Sequence, residues 1–202
     1  MSGNFSFQLD DEAGELVSRY EKYLLGTAPG YFDVDEMERI VEYYLRNGQT
    51  KDSLNALELG KKLHPSSGAL DAKRAKIYLA TGDLKKAFRL LSNLVENSDP
   101  EVEQLKIEAL IKLERLQEAK SLALSLIESE SEEVDQFCIE MALKFMAESQ
   151  FDYACDILLI GEKYNPDNVD LLFELAFCQE QKGMLTEAVS TYSRIIDIDA
   201  YI

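Results

Sequence analysis

The side chains able to do chemistry in this chain are few and scattered. The single histidine, His64, stands just before Pro65 at the end of an apolar run, where a histidine caps a helix C-terminus more readily than it acts as a base without partners. Cys138, Cys155 and Cys178 are far apart, form no CxxC and lie inside apolar helical patterns, so they read as reduced core thiols in a reducing compartment, and a cytoplasmic location is expected. HExxH, a nucleophile elbow, a phosphate loop and a dinucleotide fingerprint are all missing from the sequence. Carboxylates alone are abundant, 38 in 202 residues, and leave a paired-carboxylate hydrolase as the remote alternative to a non-enzyme. Exposed helix faces account for them as well, and with no Trp there is no common sugar-stacking platform. The run ESESEEVD, Glu128 to Asp135, lacks the ordered oxygen spacing and turn glycine of a calcium loop. It reads as the acidic start of a helix, with Ser129 and Glu132 spaced as a capping box. No catalytic residue, metal or cofactor is therefore expected.

Whatever the chain does must be done by surfaces. Its formal charge of −17 argues against nucleic acid, since phosphate binding needs Lys and Arg to displace counterions. Nothing in it has the length and hydropathy of a membrane span, and MSGNFSFQLDDEAGEL carries neither a basic nor an apolar leader region. Leu, Ala, Glu and Lys dominate, and β-type alternation is missing, so the fold class is all-α.

The stretch LATGDLKKAFRLLSNLV, Leu79 to Val95, reads as helix, glycine turn, helix, and it recurs. A small residue early in the second helix appears as Ser53, Ala87, Ala119, Ala154 and Ala188, at intervals of 34, 32, 35 and 34 residues. Three positions before it stand Thr50, Leu84, Leu116, Phe151 and Leu185; the turn glycine is Gly48, Gly82 and Gly183, replaced by Glu114 and Ser149 in the other two units. The first helix carries a bulky position, Tyr44, Tyr78, Leu110, Phe145 and Gln179, and a smaller one, Val41, Ala75, Ile107, Ala142 and Ala176. The second carries Leu57, Leu91, Ala123, Leu158 and Tyr192, and proline closes two units at Pro65 and Pro166. Asp33 with Glu36 marks a helix start as a capping box.

This pattern resembles the tetratricopeptide repeat from about Asp33 to Ile202. It departs from it in having no Trp, in a short third unit, and in Asp71 and Glu103 where a large apolar residue is usual. The resemblance implies a right-handed α-solenoid of about five helix-turn-helix units, 34–66, 67–99, 100–134, 135–168 and 169–202, preceded by a tail and capping helix over 1–32. The face of that helix would be Leu16, Val17, Tyr20, Tyr23 and Leu24, with Gly26 and Pro29 ending it.

The resemblance also implies a non-catalytic scaffold that binds a peptide or helix in a concave groove lined by the first helix, helix A, of each unit. The groove positions would be Asp35, Glu38 and Glu42, then Ala72 and Lys76, then Gln104 and Glu108, then Ile139, Leu143 and Met146, and finally Phe173 and Phe177. One subgroup of the family grips C-terminal carboxylates of chaperones with basic side chains, and Glu38 and Glu42 would repel such a ligand. The expected partner is a protein or peptide with apolar anchors and basic residues. The fifth unit lacks a cover in the sequence, so a longer repeat chain, self-association into a homo-oligomer, and a partner seated there all stand as readings.

Overall fold

A computed structural model describes residues 3–94, 100–129 and 133–199. Among the described residues it contains eleven helices and no strand: α1 Gly3–Leu24, α2 Val34–Arg46, α3 Thr50–Leu63, α4 Gly68–Ala80, α5 Leu84–Ser92, α6 Pro100–Lys112, α7 Leu116–Ser129, α8 Val134–Ala147, α9 Phe151–Tyr164, α10 Val169–Gln181 and α11 Leu185–Asp199. The chain divides into two compact units, Met1–Glu96 and Asn97–Ile202. The first holds α1 and the pairs α2–α3 and α4–α5; the second holds α6–α7, α8–α9 and α10–α11.

All five pairs turn in the same way. Met184 N–H donates to the Gln179 carbonyl (2.8 Å) and Gly183 N–H to that of Glu180 (2.9 Å). The same two bonds recur at Gly48, Gly82, Glu114 and Ser149, which is the Schellman pattern that closes a helix with one left-handed residue. The backbone requires positive φ there, and Glu114 and Ser149 adopt +60° and +58° where the other turns use glycine. The carbonyl accepting from the residue five positions on belongs in every unit to the bulky helix A position, Tyr44, Tyr78, Leu110, Phe145 or Gln179. One residue therefore both fills the pair and fastens its turn.

Inside each pair the recurring small residue does the packing expected of it. Ser53, Ala87, Ala119, Ala154 and Ala188 are all buried, and Ser53 satisfies its hydroxyl on the Thr50 carbonyl at 2.7 Å. Glycine takes this logic further at Gly161, where an added Cβ would stand 2.9 Å from Cys138 Cβ and 2.5 Å from Leu171 Cδ1. Helices α8, α9 and α10 meet there at glycine distance.

In the first unit α1 closes the open side of α2–α3. Leu16, Val17 and Tyr20 are buried with Phe32, Ile40, Val41 and Tyr44, and Tyr20 meets the rings of Phe32 and Tyr44 edge-on at 5.8 and 6.2 Å. Leu24, expected on this face, is the last residue of α1 and is exposed instead. The Asp33 capping box forms in full, with Glu36 N–H donating to Asp33 Oδ1 (2.8 Å) and Asp33 N–H to Glu36 Oε2 (3.2 Å). The box expected at Ser129 does not cap α8. Ser129 is the last residue of α7, its hydroxyl bonds to the Leu126 carbonyl, and α8 starts after Glu133; Glu132 lies outside the described residues.

The two departures from an apolar core are ionic substitutions. Asp71 and Glu103 hold the place taken elsewhere by Met37, Cys138 and Leu172, and Arg74 and Lys106 that of Ile40, Met141 and Leu175. Lys61 meets Asp71 at 2.7 Å and also donates to the carbonyls of Pro65 and Ser67, while Lys106 meets Glu103 at 2.7 Å. Asp71 and Glu103 persist here because each carboxylate has its counter-ion in place, while the Arg74 guanidinium lies over the Tyr78 ring.

Candidate functional site

The groups first considered for chemistry are placed structurally. The His64 ring shares a 2.7 Å hydrogen bond with the Phe32 carbonyl and meets Tyr31 edge-on, so it fastens the end of α3 to the loop before α2. The three thiols are free and buried, and burial pushes Cys138 up to about 11 and Cys178 up to about 12. Thiols held neutral this firmly are poor nucleophiles. Among the described residues no group of three His, Cys, Asp or Glu side chains could hold a metal, and no helix is long and apolar enough to cross a membrane.

In the second unit a cleft of about 450 Å³ runs between helix A of the third pair, α6, and helix A of the fourth, α8. Gln104, Glu108, Ile111 and Lys112 line it from α6; Glu140, Leu143, Lys144, Ala147 and the following Glu148 line it from the other side. The α8 residues are spaced i, i+3, i+4, i+7 and so occupy one face. Gln104 Nε2 donates to Glu140 Oε2 (3.4 Å), Lys112 Nζ to Glu148 Oε1 (2.6 Å), and Lys144 faces Glu108 at 4.0 Å. The bond to Glu148 holds the Lys112 ammonium above its ordinary range. Three carboxylates against two ammoniums leave the cleft acidic, with Glu140 the one carboxylate whose partner in it is a neutral amide.

Three of the expected groove residues, Gln104, Glu108 and Leu143, thus come together around this cleft. Ile139 does not, since it is only 6% exposed, whereas Leu143 is 44% exposed. The open face of α8 is rotated by one residue from the expected one: it runs through Glu140 and Ala147, and Met146 turns half into the packing. A shift of one position is about 100° around a helix, enough to carry a side chain from groove to core. Phe177 is half-buried with its ring edge-on to Phe151 at 6.2 Å, so it serves the packing of α10 on α9, while Phe173 is 54% exposed. The continuous apolar strip expected along α8 and α10 is therefore reduced to Leu143 and Phe173.

On the first unit Asp35 and Glu42 are exposed and Glu38 half-buried, Lys76 is exposed, and Ala72 is buried. Glu42 is shared between Arg46 (3.3 Å) and Lys73 (3.7 Å) of the neighbouring helix A. Sequence reasoning passed over Lys73, Lys112, Lys144, Glu140 and Glu148. The signal for four of them was present, because Gln104–Glu140, Glu108–Lys144 and Lys112–Glu148 all lie 36 residues apart, one more than the local period between the third and fourth units.

Residues 170–199 match the sequence model of the tetratricopeptide repeat. No curated protein matches the chain by sequence. Among solved structures the chain is similar to a Podosopora anserina putative kinesin light chain with nearly identical TPR-like repeats, at TM-score 0.62 and 19% identity over 83% of this chain and 95% of that one. It is similar to MamA from Desulfovibrio magneticus RS-1, at TM-score 0.58 and 12% identity over 82% and 94%. It is also similar to YrrB, described as a TPR protein with an unusual peptide-binding site, at TM-score 0.54 and 14% identity over 82% and 86%. The chain shares the fold of tetratricopeptide-repeat structures over the matched length, and its fifth helix pair carries the sequence pattern of that repeat.

Proposed function

We propose that this protein is a non-catalytic scaffold that holds a peptide or short helix of another protein on the helix A faces. The observation carrying this reading is the α6–α8 cleft, where Leu143 offers an apolar contact inside a rim with one carboxylate in excess. A segment with an apolar anchor for Leu143 and a Lys or Arg for Glu140 fits that combination. The peptide-binding character stated for YrrB, a protein of similar fold, supports the same mode. The charge-neutralised lysines would set register more than affinity, because rim ion pairs in water contribute little.

A photo-crosslinking amino acid placed at Leu143 should capture the partner, and Leu143→Asp should weaken binding by about tenfold or more. Leu159→Asp, an exposed change on α9, should leave it intact. Equal loss from both changes, or no capture from Leu143, would place the binding surface elsewhere.

A further inference from the structure

Helix α11 is apolar on two sides. One side packs inward through Ala188 and Thr191, whose hydroxyl donates to Gln179 Oε1 of α10 at 2.9 Å. The other carries Leu185, Val189, Tyr192 and Ile196, spaced i, i+4, i+7 and i+11, which fall within an arc of about 60°. Leu185, Val189 and Ile196 are 62%, 65% and 68% exposed. Phe173 of α10 lies edge-on to Tyr192 at 6.1 Å and extends the stripe onto the neighbouring helix. A helix facing only water carries polar residues at such positions, and a contiguous apolar patch marks an interaction surface.

The preceding pair shows what fits this face. Leu185, Val189 and Tyr192 are the counterparts, 34 residues on, of Phe151, Cys155 and Leu158 in α9. Cys155 and Leu158 are buried, Phe151 takes the edge of the Phe177 ring, and Cys155 lies within electrostatic reach of Cys178. Both Phe177 and Cys178 belong to α10, so the cover on that face is a helix. The fold repeats the surface on α11, and among the described residues no helix covers it.

Charge selects the occupant. The last pair carries Asp170, Glu174, Glu180, Glu187, Asp197 and Asp199 against Lys182 and Arg194. Both cations are turned back to the preceding pair, Lys182 to Asp152 at 3.0 Å, and Arg194 to Glu162 and to the Pro166 carbonyl at 2.9 Å. A second copy meeting this face with its own would set one acidic rim against another, a repulsive arrangement.

We infer that the outer face of α10 and α11 docks an amphipathic helix of a partner protein, with an apolar stripe seated on Val189, Tyr192 and Ile196 and Lys or Arg residues flanking it toward Glu180, two turns along α10 from Phe173, and Asp197. This site is separate from the α6–α8 cleft and does not depend on it.

The probe is a synthetic helical peptide of about 16 residues, with Leu at i, i+4, i+7 and i+11 on an Ala/Lys background, titrated into the full chain by fluorescence anisotropy beside a version with Glu in place of Lys. The Lys peptide should bind at least about tenfold more tightly than the Glu peptide, and V189D/I196D should weaken it by about tenfold. Those positions are exposed, so the circular-dichroism melt of V189D/I196D should match that of the parent. Attraction to net charge alone has the opposite sign, because two added carboxylates would tighten it. E180K/D197K should shift the preference toward the Glu peptide. Leu143→Asp should leave the titration unchanged, which keeps failure here distinct from failure of the cleft. Binding unaffected or strengthened by V189D/I196D overturns the inference. So does a concentration-dependent dimer in sedimentation that V189D/I196D abolishes, since the occupant would then be a second copy.

Discussion

Lys112 Nζ stands 2.6 Å from Glu148 Oε1, and the two residues are 36 positions apart. Equivalent positions in these two pairs, such as Ala119 and Ala154, are 35 apart. The same offset joins Gln104 to Glu140, Lys144 to Glu108, Gln117 to Tyr153 and Lys120 to Asp156. Each contact thus joins a residue of the third pair to the one just beyond its counterpart in the fourth, on the α6–α8 side and on the α7–α9 side alike. Because Lys112 and Glu148 are partly exposed, Lys112→Glu should cost no more than about 1 kcal/mol in urea unfolding, and adding Glu148→Lys should restore most of it.

Glu114 and Ser149 hold left-handed backbone at turns where the other units use glycine. Left-handed φ costs a residue with a Cβ about 1–2 kcal/mol, part of which glycine returns through its freer unfolded chain. Glu114→Gly and Ser149→Gly should each raise stability by roughly 0.5–1 kcal/mol, visible as a higher thermal midpoint. Gly82→Ala, at φ +81°, should lower it by a similar amount.

Gly161 and Gly60 occupy the same position in two units, facing Leu171 with Cys138 and Leu70 with Met37. The contacts are tighter at Gly161, where Cβ of Cys138 cannot rotate away. Gly161→Ala should destabilise the second unit by about 1–3 kcal/mol, the usual cost of overpacking. Gly60→Ala, whose nearest neighbour is a Leu70 methyl at 3.1 Å, should cost less; chemical denaturation of the two variants gives the comparison.

Stability should fall at both ends of the pH scale, for different groups. Asp135 accepts hydrogen bonds from Asn168 (2.7 Å) and Asn165 (2.8 Å), and these hold its carboxyl below the usual range. Its contribution is present above its unfolded value near 3.9 and is lost as pH falls through the lower folded value. Asp135→Asn should therefore flatten the acid limb of a melting-temperature profile. Burial pushes Cys138 up to about 11 and both Cys178 and Tyr20 up to about 12. Their contributions are full below the unfolded values, about 8.5 for Cys and 10 for Tyr, and are lost as pH rises toward the folded ones. Iodoacetamide at pH 8 should accordingly leave all three cysteines unlabelled until the chain is unfolded, as read by intact mass.

The helices, their turns and the small residues between them were legible because each rests on local chemistry. Glycine at positive φ, a capping box at Asp33 and an alanine every 34 residues or so act within a few positions of chain. The site was less legible, because membership of a helix face is decided at its edge. Ile139 and Glu140 are neighbours in sequence, yet one is core and the other lines the cleft, and the difference depends on how α8 is rolled against α6. No pattern internal to α8 contains that angle. Asp71 and Glu103 were visible as anomalies at the outset; their counter-ions Lys61 and Lys106 became visible only once α3 and α6 were in place.

The offset of 36 residues also bears on folding kinetics. The ion pairs and side-chain hydrogen bonds that join α6–α7 to α8–α9 each close a loop of that one length, so the entropy of closure for one such contact is the same as for the next. Contact order stays low, and folding can begin at whichever pair forms first and spread to its neighbour without a long-range search. Opening should spread in the same way, with amide exchange slowest in α8–α9, which has a neighbouring pair on both sides.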